Sequence, residues 1–201
     1  MSALIGIVDY GNSGNIKSIK KAIEYAGAKT VLIENPDKLS VADKIVLPGV
    51  GSFNNAMSTL RESYLIDHLA EAVEKKPTLG ICLGMQILSK VGFEFGKTKG
   101  IGFFDAEVKP IQCSGFVPHM GFNKIEVQRD NLLLKGLNGN SFYFMHSFEV
   151  VNYKNVLALS EYCEHEFVSA MGKDEVYGVQ FHPEKSKEPG IKLFENFIHL
   201  K

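Results

Sequence analysis

The sharpest chemical feature of the chain is a cysteine between two glycines, Gly80-Ile81-Cys82-Leu83-Gly84. It lies where the short strand pattern Thr78–Ile81 gives way to a helical pattern over Gly84–Val91. A tight strand-to-helix turn holds a nucleophile in a strained backbone conformation, and flanking glycines remove side chains that would collide. The N-terminus of the following helix offers unpaired N–H groups and a partial positive charge, both of which favour thiolate over thiol. The N–H of Leu83 would then point at an oxyanion formed on an attacked carbonyl. The bland alternative is that Cys82 is a small buried hydrophobe.

A thiol nucleophile needs a nearby histidine, and the histidine an orienting partner. Of the six histidines, His182 stands out in Gln180-Phe181-His182-Pro183-Glu184. It follows the apolar strand run Val176–Phe181, which puts it at the carboxyl edge of a sheet, where open α/β folds hold their sites. Pro183 biases His182 toward extended backbone, in which residues two apart face one side, so Glu184 can orient the imidazole. His68 and His199 fall in helical patterns, and His165 lies in a polar stretch that reads as solvated. A further loop, Leu47-Pro48-Gly49-Val50-Gly51-Ser52, follows a strand and precedes a helix. It is neither a Walker loop nor a dinucleotide fingerprint. The Gly49, Val50 and Gly51 N–H groups could face a developing negative charge, or the loop could be an ordinary β-to-α turn.

The elements that must position these groups alternate through the first half: strands at Leu4–Val8, Thr30–Ile33, Lys44–Leu47 and Thr78–Ile81, helices at Asn15–Ala26, Tyr64–Val73 and Gly84–Val91. The second half reads as strands at Ala106–Ile111, Lys124–Val127, Ser141–Met145, Val156–Ser160, Phe167–Met171 and Val176–Phe181. A turn at Lys173-Asp174-Glu175 separates the last two, and a closing helix covers Gly190–Leu200. The expected fold is α/β: a mostly parallel central sheet flanked by helices, with additional antiparallel strands, in a single domain over 1–201.

Composition narrows the function classes. The chain has 201 residues, net charge −1, 45% apolar and 22% charged residues. A chain of this length buries about 70% of its unfolded surface, enough to fold without a metal or disulfide. No basic run marks a nucleic-acid or anionic-membrane partner, and no apolar run approaches the roughly 20 residues that span a bilayer. The three cysteines, at 82, 113 and 163, form no disulfide framework and no metal-ligand spacing, which points to a reducing cytoplasm and to no cofactor or metal.

Taken together, these residues resemble the class I (triad-type) glutamine amidotransferases, and within them the glutaminase subunits of imidazole glycerol phosphate synthase. The resemblance begins at Asp9-Tyr10-Gly11 with Gly14-Asn15 and runs through the Pro48–Gly51 loop and the elbow with Met85-Gln86. It continues in Pro118-His119-Met120-Gly121-Phe122-Asn123 and Tyr143-Phe144-Met145-His146-Ser147, and ends at Gly178 to Ser186. It implies a flavodoxin-like fold and glutamine hydrolysis by Cys82, His182 and Glu184. Oxyanion contacts would come from Leu83 and a loop Gly49, Val50, Gly51 that rearranges on partner binding. L-Glutamine would be held by Gln86, Glu94, Ser147 and Phe148. It further implies a heterodimer with a (β/α)8-barrel cyclase that receives the ammonia. Asn15, Phe122, Tyr143 and Lys185 would lie near that partner, and His119 and His146 would be structural or interface residues. The chain departs from the pattern in three places: one extra residue over Asp9–Asn15, Phe122 where tryptophan is usual, and a shortened Ser89–Gly102 stretch that lacks the usual acidic cluster apart from Glu94. Two other readings remain open at this point: a paralogous glutaminase for amidation of a surface sugar, and a catalytically silent regulatory subunit.

Overall fold

The computed structural model describes residues 3–11 and 15–200; Gly14 of the N-terminal motif lies outside them. In the first half, strand β1 (Leu4–Val8) leads to α1 (Ile16–Tyr25), β2 (Lys29–Ile33), α2 (Pro36–Val41), β3 (Lys44–Leu47), α3 (Phe53–Glu62), α4 (Ile66–Val73), β4 (Thr78–Ile81) and α5 (Leu83–Ile87). Strands β5 (Ser89–Gly92), β6 (Thr98–Lys99), β7 (Phe104–Pro110), β8 (His119–Lys124), β9 (Glu126–Val127), β10 (Ser141–His146) and β11 (Phe148–Val151) follow. The chain ends with β12 (Val156–Tyr162), β13 (His165–Lys173), β14 (Val176–Val179), a 3-10 turn at Pro183–Lys185, and α6 (Lys187–Ile198).

The main sheet has the order β2-β1-β3-β4-β14-β13-β12-β9. Neighbours are parallel from β2 to β14 and antiparallel beyond. Every residue of β3, β4 and β14 is buried, as expected where helices cover both faces of a parallel sheet. On one face, Ile19 and Ile23 of α1 and Leu193, Phe194 and Phe197 of α6 form a continuous apolar cluster. On the other, Phe53, Met57 and Leu60 of α3 pack with Leu69 and Val73 of α4 and with β7. A second sheet, β11-β7-β5-β6, and a two-stranded ribbon, β10-β8, stand beside this core. The expected α/β class, parallel centre and antiparallel additions are all present.

Several boundaries differ from the sequence reading. The helix expected over Gly84–Val91 ends at Ile87, and Ser89–Gly92 is a strand paired in parallel with β7. Residues 81–89 are all buried, so this stretch carries no face-to-face contrast from which a period could be read. Helix α2 was missed: Asn35 caps it by accepting from the Lys38 N–H at 3.1 Å, and Pro36 begins it. Strand β11 was also missed, and Lys124–Val127 is divided between β8 and β9. The closing helix starts earlier, at Lys187, because Pro189 falls within the first turn, where its missing N–H costs nothing.

Candidate active site

The ends of β3, β4 and β14 converge at the carboxyl edge of the sheet. Cys82 sits at the turn from β4 into α5 with φ 48° and ψ −103°, a conformation that costs a non-glycine residue about 1–3 kcal/mol. The flanking glycines are there because space forbids anything larger. A Cβ on Gly80 would stand 2.6 Å from the Gly84 backbone, and one on Gly84 would stand 2.1 Å from the Leu47 carbonyl oxygen. Leu83 is the first residue of α5, so its N–H has no carbonyl four residues back to accept it. The Pro48–Gly51 loop presses on the elbow from the β3 side: a Cβ on Gly49 would lie 2.3 Å from the Ile81 carbonyl oxygen and 3.0 Å from Cys82 Cβ. Gly51 takes φ +118°, open to glycine alone at no steric cost.

His182 and Glu184 meet, Nδ1 to Oε1 at 2.9 Å, with both side chains fully buried. The route differs from the one expected. His182 is extended, but Pro183–Lys185 is a 3-10 turn, and that turn swings the carboxylate back to the ring. The Nε2 of His182 is buried with no well-formed hydrogen bond, yet it is near enough to Cys82 to feel it electrostatically; such contacts are often loose before substrate arrives. Burial alone would lower the His182 pKa. The Cys82 sulfur and the Glu184 carboxylate outweigh it and raise the value to about 10, so the imidazole is a cation facing the sulfur at neutral pH. Burial likewise opposes the Glu184 charge, but His182 and Asn15 override it and hold the carboxyl below its usual range.

Around Cys82 lies a cavity of about 260 Å³ lined by Gly49, Val50, Gly51, Leu83, Gln86, Glu94, Ser147 and Phe148, with Pro118, Met145 and His146. That is small against the ~300–1,000 Å³ of drug-sized sites and suits a ligand of amino-acid size. The residues expected to contact an oxyanion and to hold glutamine thus share one cavity with the sulfur. Glu94 supplies the carboxylate, and its Oε2 already accepts the Phe53 N–H of α3 at 2.6 Å. The Gln86 amide nitrogen lies 3.0 Å from the Phe148 carbonyl oxygen. Among the described residues no cluster of three or more His, Cys, Asp or Glu could hold a metal.

Of the residues expected near a partner, Phe122 is 51% exposed and lies edge-to-face against Tyr143, whose ring also carries the Lys185 ammonium at 5.5 Å. Exposed Phe116, Val117 and Met120 flank them in sequence. Asn15 differs from them in being buried: it is 4% exposed and donates to Glu184 Oε1 at 2.8 Å, next to Lys185. It points inward because α1 begins beneath the Pro183–Lys185 turn. His165 is not simply solvated, since it meets the buried Glu149 carboxylate at 2.8 Å.

Sequence reasoning passed over two groups at the site. The buried Tyr10 hydroxyl donates to the Pro48 carbonyl, pinning the glycine loop. Its pKa is held well above the usual value, by burial first and by Cys82 and Asp9 next. Its Asp9-Tyr10-Gly11 setting was the available signal. Gln180 is fully buried and donates to Cys82 Sγ at 3.4 Å; an amide two residues before His182 was the only hint.

A family model described as glutamine amidotransferase class-I matches residues 7–200. HisH 2, an imidazole glycerol phosphate synthase subunit of Methanococcus maripaludis, is 47% identical, with 97% of this chain and 98% of the relative covered. HisH 1 of Campylobacter jejuni strain 81-176 is 43% identical, covering 98% and 100%, and HisH of Aquifex aeolicus is 41% identical, covering 95% and 94%. Among solved structures, PurLQS from Thermotoga maritima is similar in fold, with a TM-score of 0.79 at 20% identity over 98% of each chain. The chain belongs to the class-I glutamine amidotransferases, in the group of HisH subunits of imidazole glycerol phosphate synthase.

Proposed function

We propose that the chain is the glutaminase subunit of an imidazole glycerol phosphate synthase in histidine biosynthesis, one domain working in the cytoplasm beside a (β/α)8-barrel cyclase. In the first step the Cys82 thiolate attacks the side-chain amide carbon of L-glutamine. The carbonyl π pair moves to oxygen, where the Leu83 N–H and N–H groups of the Gly49–Gly51 loop stabilise it. One such donor is typically worth ~3 kcal/mol of barrier. Collapse of the tetrahedral adduct breaks the C–N bond, and the His182 imidazolium gives its proton to the leaving ammonia. Water, deprotonated by the now neutral His182, then attacks the γ-glutamyl thioester, and glutamate leaves as the Cys82 thiolate and the His182 cation are restored. Glu184, held by Asn15, keeps the imidazole in the tautomer and orientation that both steps need. Glu94 meets the substrate ammonium, while Gln86 and the Ser147–Phe148 backbone hold its polar end.

The observation that carries this reading is the buried His182–Glu184 pair, with the imidazole close enough to Cys82 to feel it electrostatically, beside a cavity lined by Cys82 and Glu94. The exposed Phe122 and Lys185 around the half-buried Tyr143, together with exposed Met120, support the barrel partner, since contiguous exposed apolar surface marks association sites. Ammonia handed across that face would reach the cyclase without meeting bulk water. The test is Cys82→Ala, assayed for glutamate release with the cyclase and its ribonucleotide ligand present. Glutamate release should vanish while folding and cyclase binding persist. Retained hydrolysis would remove Cys82 from the mechanism.

A further inference from the structure

One buried polar path is not used by the triad. Gln180, just beyond β14, places Nε2 3.4 Å from Cys82 Sγ and Oε1 3.3 Å from Gln86 Nε2. That same Gln86 nitrogen lies 3.0 Å from the Phe148 carbonyl oxygen. The carbonyl is also 3.0 Å from His146 Nδ1, and His146 Nε2 is 3.1 Å from His119 Nδ1. The five contacts run without a break from the β8 ribbon to the sulfur.

Chemistry fixes the direction of every bond in this path. An amide presents similar shapes at its two ends, so the end facing a neighbour follows from what the neighbour can do. The Phe148 carbonyl can only accept. Gln86 must therefore turn its NH2 to it, and the second hydrogen of that NH2 requires an acceptor, which is Gln180 Oε1. The end of Gln180 left facing Cys82 is then its own NH2. On the other side, the same carbonyl draws the His146 proton to Nδ1, so His146 Nε2 accepts and His119 Nδ1 donates. Burial keeps His146 neutral, with its pKa lowered to about 3, so this arrangement persists through the range in which the enzyme works.

We propose that Gln180 is a further catalytic residue, whose side-chain N–H donates to the Cys82 sulfur, favours the thiolate and directs its attack, with Gln86 and the Phe148 carbonyl as the positioning groups that forbid the amide from flipping. A flipped amide would aim an oxygen at the thiolate and oppose its charge. The proposal rests on Cys82 being the nucleophile, as argued above. The other titratable groups around the sulfur are His182, the Tyr10 hydroxyl, and His146 and Glu94 across the cavity; Gln180→Leu leaves the charge on each of them in place.

The experiment is alkylation of Cys82 by iodoacetamide, followed by mass spectrometry across the pH range in which thiols titrate, on the full chain. Proteins compared are the natural sequence, Gln180→Leu, Gln180→Glu and Gln86→Leu, each checked for folding by urea unfolding. A hydrogen bond to a charged group is worth enough to move the labelling midpoint of Gln180→Leu up by about one pH unit, roughly a tenfold loss of rate at any pH well below that midpoint. Gln180→Glu should move it further, and Gln86→Leu by less, because the Gln180 amide becomes free to turn. A folded Gln180→Leu or Gln180→Glu whose profile coincides with that of the natural chain would overturn the proposal, and Gln86→Leu serves if neither folds: a profile unchanged there would do the same. The underlying glutaminase reading fails differently, through absence of glutamate release by the natural chain with its cyclase.

Discussion

Gly84→Ala separates two effects of opposite sign. Gly84 lies in the first turn of α5, and in an unpacked helix glycine is about 1 kcal/mol less favourable than alanine. Helix propensity alone would make the substitution stabilising. The added Cβ, however, would stand 2.1 Å from the Leu47 carbonyl oxygen and 2.8 Å from Leu47 C and Cβ. Real Cβ contacts essentially never fall below 3.0 Å, so α5 and β3 must part by about 1 Å. Leu47 cannot yield cheaply: it is backbone in a fully buried strand, paired in register with Gly80. Overpacking of this kind costs about 3 kcal/mol, so the net expectation is a loss of about 2 kcal/mol. For a chain of this size that lowers Tm by about 4–8 °C. Thermal unfolding followed by circular dichroism reads the shift, with Gly96→Ala as the reference for a glycine that meets nothing within 4 Å and bears only its φ of +116°. Because the displaced turn carries Leu83 N–H and Cys82, glutamate release should fall further than the folded fraction does. A Gly84→Ala protein with unchanged or raised Tm and full activity would refute the steric account of the elbow.

Three further outcomes follow from the same geometry. The His182–Glu184 pair should stabilise the fold most between about pH 4.5 and 6.5: the lowered Glu184 pKa means its contribution is lost as pH falls below the unfolded value of 4.5, and the raised His182 pKa means its contribution declines as pH rises from 6.5 toward about 10. The stability gap between the natural chain and Glu184→Gln, measured by urea unfolding, should therefore open as pH rises to about 4.5 and close only as pH climbs toward about 10, because Cys82 raises His182 in both proteins; a gap that grows steadily above pH 6.5 would contradict the assignment. Asn15→Leu removes a buried donor to Glu184 and should cost about 1–3 kcal/mol of stability; kcat should drop with KM little changed, and an unaltered kcat would mean that Asn15 does not orient the carboxylate. Phe122→Asp should weaken cyclase binding at least ~30-fold, the scale of an interface hot spot, with Tm unmoved; titration calorimetry giving an unchanged Kd would take Phe122 out of the interface.

What could be read from the sequence was what short-range constraints write into it. The elbow was legible because Gly80, Cys82 and Gly84 answer to contacts inside a few residues of strand, turn and helix, and the buried strands β1, β3 and β4 were bounded correctly for the same reason. His182 was found through its place after an apolar run, although the 3-10 turn that brings Glu184 to it was not foreseen. Ser89–Gly92 was misread because the run 81–89 before it is buried throughout and shows no period that marks the helix end, and the pairing that makes it a strand comes from β7. The contacts of Asn15, Tyr10 and Gln180 were not legible for a third reason. Their partners are Glu184, Pro48 and Cys82, at separations of 169, 38 and 98 residues, so nothing local distinguishes them. The direction of the Asn15 side chain, in particular, depends on where α1 meets the far end of the chain.

Strand β10 offers a physical route by which the proposed partner could act on the chemistry. Its residues alternate: Phe142, Phe144 and His146 are buried, whereas Tyr143 and Met145 are partly exposed. The Tyr143 ring meets Phe122 and Lys185, while its carbonyl accepts the His182 N–H at 2.8 Å and its own N–H donates to Ser186 Oγ at 2.9 Å. Two residues on, the Met145 carbonyl lies 3.8 Å from Cys82 Sγ, and Ser147 lines the cavity beyond. A partner that bears on Tyr143 therefore bears on the backbone that holds His182 and the wall behind the sulfur, with no flexible segment between. A packed strand transmits such a push as a displacement of the whole element, since close-packed interiors yield little to local compression. The loop at Gly49–Gly51 is tied to β1 through Tyr10 and lies on the opposite side of the elbow. Contact of the proposed cyclase with the ribbon and the state of the loop would thus converge on Cys82 from two directions, so that one docking event would bring the oxyanion contacts and the acid–base pair into line.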